Sequence, residues 1–262
     1  MKIAGKCLCK FKTACWEDYM IAEMKIWRAI EMPEGDGAVV KRLFPTPAMS
    51  PIDPFILLDE FFVGPDAGFP DHTHRGFEAI TYMLEGGFNH KDNLGNNSMA
   101  TEGGAQRFTA GKGIVHSEMP GNFSVNHGFQ LWVNLPKKSK QIAPSYQLVN
   151  AREIPVTHEN GVSISTLAGD TGPIELHTPV HYRHIAMEKN AHYHLSIPES
   201  HRGFCYVYHN SAAFNGTGID AEQAIMLFDR TIEITALDNV KLIAITGTPW
   251  NEPIKLNGPF VD

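Results

Sequence analysis

The sequence predicts an all-β protein, a barrel or jelly roll, on three observations. Its apolar residues fall in short runs broken by Gly, Pro and Asn. Asn160-Gly161 and Asn215-Gly216 are turn pairs of the hairpin kind, and no stretch of a dozen residues sustains a helical period. At 262 residues, 43% of them hydrophobic, the chain can bury a sizeable core as one large β domain or two smaller ones.

Residues 1–24 stand apart, rich in Lys and Cys and without a period, with Met20 and Met24 as alternative starts. We expect this leader to add little to the fold. Cys7, Cys9 and Cys15 crowd into it while Cys205 lies far away, which is no disulfide framework, and the cluster lacks a second pair at zinc spacing. A reducing, cytoplasmic location is the expectation, with no apolar signal-peptide core at the N-terminus. Runs at 53–62, 77–84, 105–109 and 129–135 then predict the strands of a first domain, 25–140. Residues 136–144, polar and flanked by prolines, read as a linker whose charges face solvent. Runs at 162–167, 184–187, 204–208, 224–228, 232–235 and 240–246 predict a second domain, 141–262. His74-Arg75-Gly76-Phe77 recurs as His201-Arg202-Gly203-Phe204, 127 residues on, as two similar β domains require.

Charge narrows the partners. Lys plus Arg number 22 and Asp plus Glu 29, a net −7 that argues against direct nucleic-acid contact and against an anionic membrane surface. No run approaches the roughly 18 apolar residues that cross a bilayer.

Two segments carry chemistry. On a strand, residues i and i+2 share a face, so His72 and His74 project together, as do His116 and Glu118. If the strands are neighbours, three imidazoles and a carboxylate converge, a donor set for one divalent transition metal: Fe(II) first, with Mn, Co, Ni, Cu or Zn also suited. The second half offers His192 with His194 and Glu199 with His201 at the same spacing, but no later pair to complete either. These, and His177, His181, His184 and His209, read as surface or pocket-lining residues.

The run Gly68-Phe69-Pro70-Asp71-His72-Thr73-His74-Arg75-Gly76-Phe77-Glu78 resembles the first signature of pirins, a branch of the cupin superfamily. Stretches at 53–61, 82–87, 110–120, 127–135 and 257–261 resemble pirins in the same order, so the likeness spans roughly residues 25–261. It implies two cupin barrels packed face to face, with metal only in the N-terminal one, on His72, His74, His116 and Glu118. Many other cupins take their carboxylate from the first motif, where Glu78 stands. Alternation turns Glu78 inward unless Gly76 breaks the strand with a bulge. Phe77, Tyr82, Phe129, Gln130 and Trp132 join Glu78 as candidates to surround the ion or line a substrate pocket. Two departures stand out: pirins commonly carry a helical segment beyond the Gly-Pro-Phe-Val stretch, whereas this chain stops at Asp262, and the Cys-bearing leader has no counterpart.

The resemblance implies quercetinase activity, in which O₂ opens the central ring of a flavonol-like small molecule and carbon monoxide leaves. Glu118 is then the catalytic residue, taking the proton of the flavonol 3-hydroxyl. The alternative it implies is a metal- or redox-sensing regulator that binds a protein partner, a transcription complex or metabolic enzyme, without catalysis. A metal-bearing relic is the third reading.

Overall fold

The computed structural model describes residues 25–262, so the expectations for the leader and for Cys7, Cys9 and Cys15 lie outside the described residues. Every apolar run named above forms a strand, and the only helical pieces among the described residues are two 3-10 turns, Lys137–Ser139 and Ala151–Glu153. Asn160 and Asn215 sit at φ 50° and 45° and are each followed by a left-handed glycine. That double positive φ matches the twist of the flanking strands.

Four antiparallel sheets make two jelly rolls. The first pairs a seven-stranded sheet, with Phe77–Glu85, Asn126–Asn134 and Phe55–Val63 at its centre, with a four-stranded sheet of Phe69–His74, Ile114–Pro120, Gly87–Asp92 and Asn97–Thr101. The second pairs a seven-stranded sheet centred on Arg202–His209, Val240–Gly247 and Val180–Met187 with a four-stranded sheet of His192–Ser196, Thr231–Ala236, Ser211–Phe214 and Thr217–Asp220. The two large sheets face one another. Ile80, Tyr82, Phe129 and Leu131 of the first pack into one buried cluster with Tyr182, Phe204, Tyr206 and Ile243 of the second. Strands sandwiched this way are apolar on both faces, which is why they read as continuous runs.

Sheet membership departs from the division drawn at residue 140. Ile26–Arg28 pairs with Gln223–Leu227 in the second large sheet, and Ser145–Val149 pairs with Ala105–Thr109 in the first. At the far end, Leu256–Asn257 and Phe260–Val261 return to the first barrel, where Phe260 bridges to Arg75 and Val261 is fully buried. The 136–144 linker is also less solvated than its composition suggests. Lys140 reaches inward to the carbonyls of Gly76 and Val261 and to Asn134 Oδ1, at 2.9–3.2 Å.

The four-residue echo marks the entry to a central strand in each barrel, but one residue out of phase. Phe77 faces the interior of its barrel, whereas Phe204 faces the other barrel.

Candidate metal centre

The antiparallel pairing of Phe69–His74 with Ile114–Pro120 sets His116 opposite His72 and Ile114 opposite His74. Alternation then aims His72, His74 and His116 into the barrel, while Thr73 and Val115 point out. One nitrogen from each of the three imidazoles lies within 4.8 Å of the others. Glu118, 1% exposed, is beside this set but outside it.

The other nitrogen of each ring is engaged. His72 Nδ1 donates to the Pro70 carbonyl at 2.7 Å and His74 Nδ1 to the Pro259 carbonyl at 3.1 Å. His116 Nδ1 is 3.4 Å from His90 Nδ1. A carbonyl only accepts, so His72 and His74 carry their proton on Nδ1 and keep a bare lone pair on Nε2. His116 Nε2 is buried with no hydrogen-bond partner. A buried orphan nitrogen facing two bare ones is costly in an apolar barrel, and a cation relieves that cost. The residues present therefore fit a divalent transition ion. Burial, then the neighbouring His72, pushes His74 down to about 3; burial and the other histidines likewise hold His116 well below the ordinary imidazole range. Both rings are neutral at physiological pH, as ligands must be.

Glu118 is held by three donors. Its Oε1 accepts from Thr81 Oγ1 at 2.8 Å and Gln106 Nε2 at 2.6 Å, and its Oε2 from Gln130 Nε2 at 2.6 Å. Trp132 Nε1 in turn donates to Gln130 Oε1 at 3.1 Å, and Tyr146 Oη to Gln106 Oε1 at 3.0 Å. Beside the histidines opens a cavity of about 610 Å³, within the size range of small-molecule sites. Leu57, Phe61, Phe69 and Trp132 give it apolar walls, and Arg42 with Asp59 a charged one. Arg42 grips Asp59 with two bonds, Nε to Oδ1 at 2.8 Å and Nη2 to Oδ2 at 2.7 Å.

Three of the candidate pocket residues are placed elsewhere. Gly76, at φ +86°, turns the chain from the small sheet into the large one and resets the alternation. Phe77, Ala79 and Thr81 then face inward, and Glu78, Tyr82 and, across the ladder, Phe129 face the second barrel. Glu78 accepts from Thr109 Oγ1 at 2.8 Å and from the backbone N–H of His177 at 2.8 Å. Tyr82 Oη lies 3.0 Å from His184 Nδ1. Phe77 stays near the centre as a floor, stacked on Trp132 at 4.1 Å and 5.1 Å from His74. Gln130 and Trp132 line the cavity as expected.

Sequence reasoning missed Thr81, Gln106, the Pro259 carbonyl and the buried pair His90 and Asp92. The last had a visible signal, since His90-Lys91-Asp92 is another i, i+2 pair.

In the second barrel, the same alternation turns the histidines out. Along His192–Ser196, His192 and His194 are exposed and Leu195 is buried. The interior they would have reached is filled by Ile185, Val207, Phe214, Ile234 and Leu242. Glu199 is 94% exposed, and His201 bonds Thr246 Oγ1 at 3.1 Å. His184 is half-buried between the barrels, with Nδ1 3.0 Å from Tyr82 Oη and Nε2 2.7 Å from Tyr208 Oη.

Two face-to-face jelly rolls, one lined by convergent histidines and one packed with aliphatic side chains, define a bicupin. The chain belongs to the pirin family: the Pirin profile matches residues 37–133 and that of the Pirin C-terminal cupin domain residues 182–262. A pirin-like protein of Solanum lycopersicum is 39% identical over 238 residues, covering 87% of this chain and 82% of that one. The structure of a quercetin 2,3-dioxygenase from Acinetobacter baumannii aligns with a TM-score of 0.84 at 29% identity, over 90% of each chain. A bacterial pirin from Escherichia coli, solved with nickel(II), shares the fold at a TM-score of 0.71 and 20% identity, over 86% of this chain and 99% of that one.

Proposed function

We propose that this protein is a metal-dependent dioxygenase that opens the central ring of a flavonol-like substrate, inserting both atoms of O₂ and releasing carbon monoxide. The observation that carries the reading is the convergence of His72, His74 and His116 on an apolar cavity with a buried carboxylate at its wall. The 29% identity to a quercetin 2,3-dioxygenase over 90% of both chains supports the substrate class.

His72, His74 and His116 would hold one divalent ion, Fe(II) by expectation, and Glu118 would join them as the anionic ligand. Bound there, the ion supplies a Lewis acid for the substrate hydroxyl and a redox partner for O₂. The chain's own residues do the rest. Trp132, Leu57 and Phe61 flank a planar ring system and keep water from it. Thr81, Gln106 and Gln130 hold Glu118 at the cavity wall, where it takes the proton of the 3-hydroxyl as general base.

The test is oxygen uptake and carbon monoxide release with quercetin, using protein reconstituted with each of the six candidate metals. Turnover with at least one is the expected result. No uptake with any of them, or with other flavonols, overturns the enzyme and leaves a regulator whose protein partner would distinguish loaded from metal-free chain.

A further inference from the structure

His90 and Asp92 take no part in the proposed reaction, yet they are aimed at it. Both lie inside the first barrel on Gly87–Asp92, with side chains closed to solvent. His90 is stacked on Tyr146 at a centroid distance of 4.2 Å and near Phe108 at 6.3 Å. We propose that Asp92 and His90 form a relay that fixes the tautomer of His116, leaving its Nε2 bare.

Asp92 Oδ1 accepts the backbone N–H groups of Leu94 at 2.9 Å and Asn96 at 3.0 Å. Its Oδ2 accepts Asn96 Nδ2 at 2.8 Å and lies 2.9 Å from His90 Nε2. A carboxylate so surrounded only accepts, so the His90 proton sits on Nε2. His90 Nδ1 is then a lone pair, 3.4 Å from His116 Nδ1. Two facing lone pairs repel, so His116 places its proton on Nδ1. Its Nε2, already without a partner in the barrel, becomes the donor atom. His72 and His74 get the same tautomer from one carbonyl each, whereas His116 needs two side chains to receive it. Asp92 and His90 are thus positioning residues, acting through His116.

Asp92→Asn inverts the relay. The two backbone donors keep the amide oxygen in the Oδ1 place and turn the NH₂ toward Asn96, whose amide flips to accept it, and toward His90, which must accept on Nε2 and donate from Nδ1. His116 Nδ1 must then accept, and its proton moves to Nε2, the atom the ion needs.

The value of the relay to the centre rests on the metal reading; the tautomer does not. Both are measurable on the full chain. In metal-free protein, long-range ¹H–¹⁵N spectra report which nitrogen of His116 is protonated. We expect Nδ1 in the unmodified chain and Nε2 in Asp92→Asn. Co(II) affinity, by chelator competition, should fall about 10–100-fold in the same variant. His90→Phe keeps the stacked ring and removes the acceptor, so it should also lose affinity, with His116 no longer held to one tautomer. A His116 proton on Nε2 in the unmodified chain, or one that stays on Nδ1 in Asp92→Asn, overturns the relay. Undiminished Co(II) affinity in both variants overturns its role at the centre. Failure of the unmodified chain to bind Co(II) overturns the metal reading, and the tautomer signals still decide the relay.

Discussion

Each histidine of the centre has one nitrogen to give because the other is already bonded. Removing any one leaves two imidazoles and the Glu118 carboxylate, an incomplete set that holds an ion poorly against competition. His72→Ala, His74→Ala and His116→Ala should each abolish most metal occupancy by elemental analysis, whereas His192→Ala and His194→Ala, whose rings face solvent, should leave it unchanged. Equal loss from the second set would move the site to the other barrel. Glu118 is tested separately. Glu118→Gln keeps the size and a carbonyl oxygen but cannot take a proton at neutral pH. General-base assistance is worth about 10²–10⁴-fold, so this variant should retain much of its metal yet lose at least about a hundredfold in flavonol-dependent oxygen uptake. Near-normal uptake would sink the proton-acceptor role. At this scale the sequence was legible where two residues spaced i, i+2 share a face, and it yielded His72, His74 and His116. The bonds that tie Glu118 to Thr81, Gln106 and Gln130 join four different strands, and no local spacing announces them.

Strands of the large sheets were readable because both of their faces are buried. Strands such as Asn97–Thr101 and Ser145–Val149, which lie at sheet edges, carry no apolar run and escaped notice. The misplaced side chains Glu78 and Tyr82 have one cause, the turn at Gly76, since period-2 alternation inverts wherever a strand breaks. Phe129 faces the second barrel because it alternates with Gln130 and Trp132 along its own strand. A Cβ at Gly76 would stand 1.9 Å from the Val261 carbonyl oxygen, at a φ that L-residues rarely adopt. Gly76→Ala should therefore cost at least about 2 kcal/mol in urea denaturation. A loss within experimental error would mean that the C-terminal segment yields at no cost.

The barrels share one core, and its polar centre makes stability depend on acid. His184, bonded between Tyr82 and Tyr208, is pushed by burial down to about 4. With the folded value below the unfolded 6.5, the unfolded chain takes up the proton first as pH falls. His184 therefore costs nothing above pH 6.5, and stability drains away between about 6.5 and 4. From pH 7 to pH 4.5 the loss from this group is roughly 2–3 kcal/mol, and His184→Gln should remove that part of the decline in denaturation curves taken at both pH values. An unchanged decline would assign the acid sensitivity to other groups. The barrels exchange chain ends, so neither can be separated whole. Among the described residues the second barrel brings no three ligand side chains together, yet its trailing segment brings the Pro259 carbonyl to His74 and fills the first barrel with Val261. The second barrel thus cannot be cut away without opening the first, which takes from it an acceptor for His74 and a core side chain.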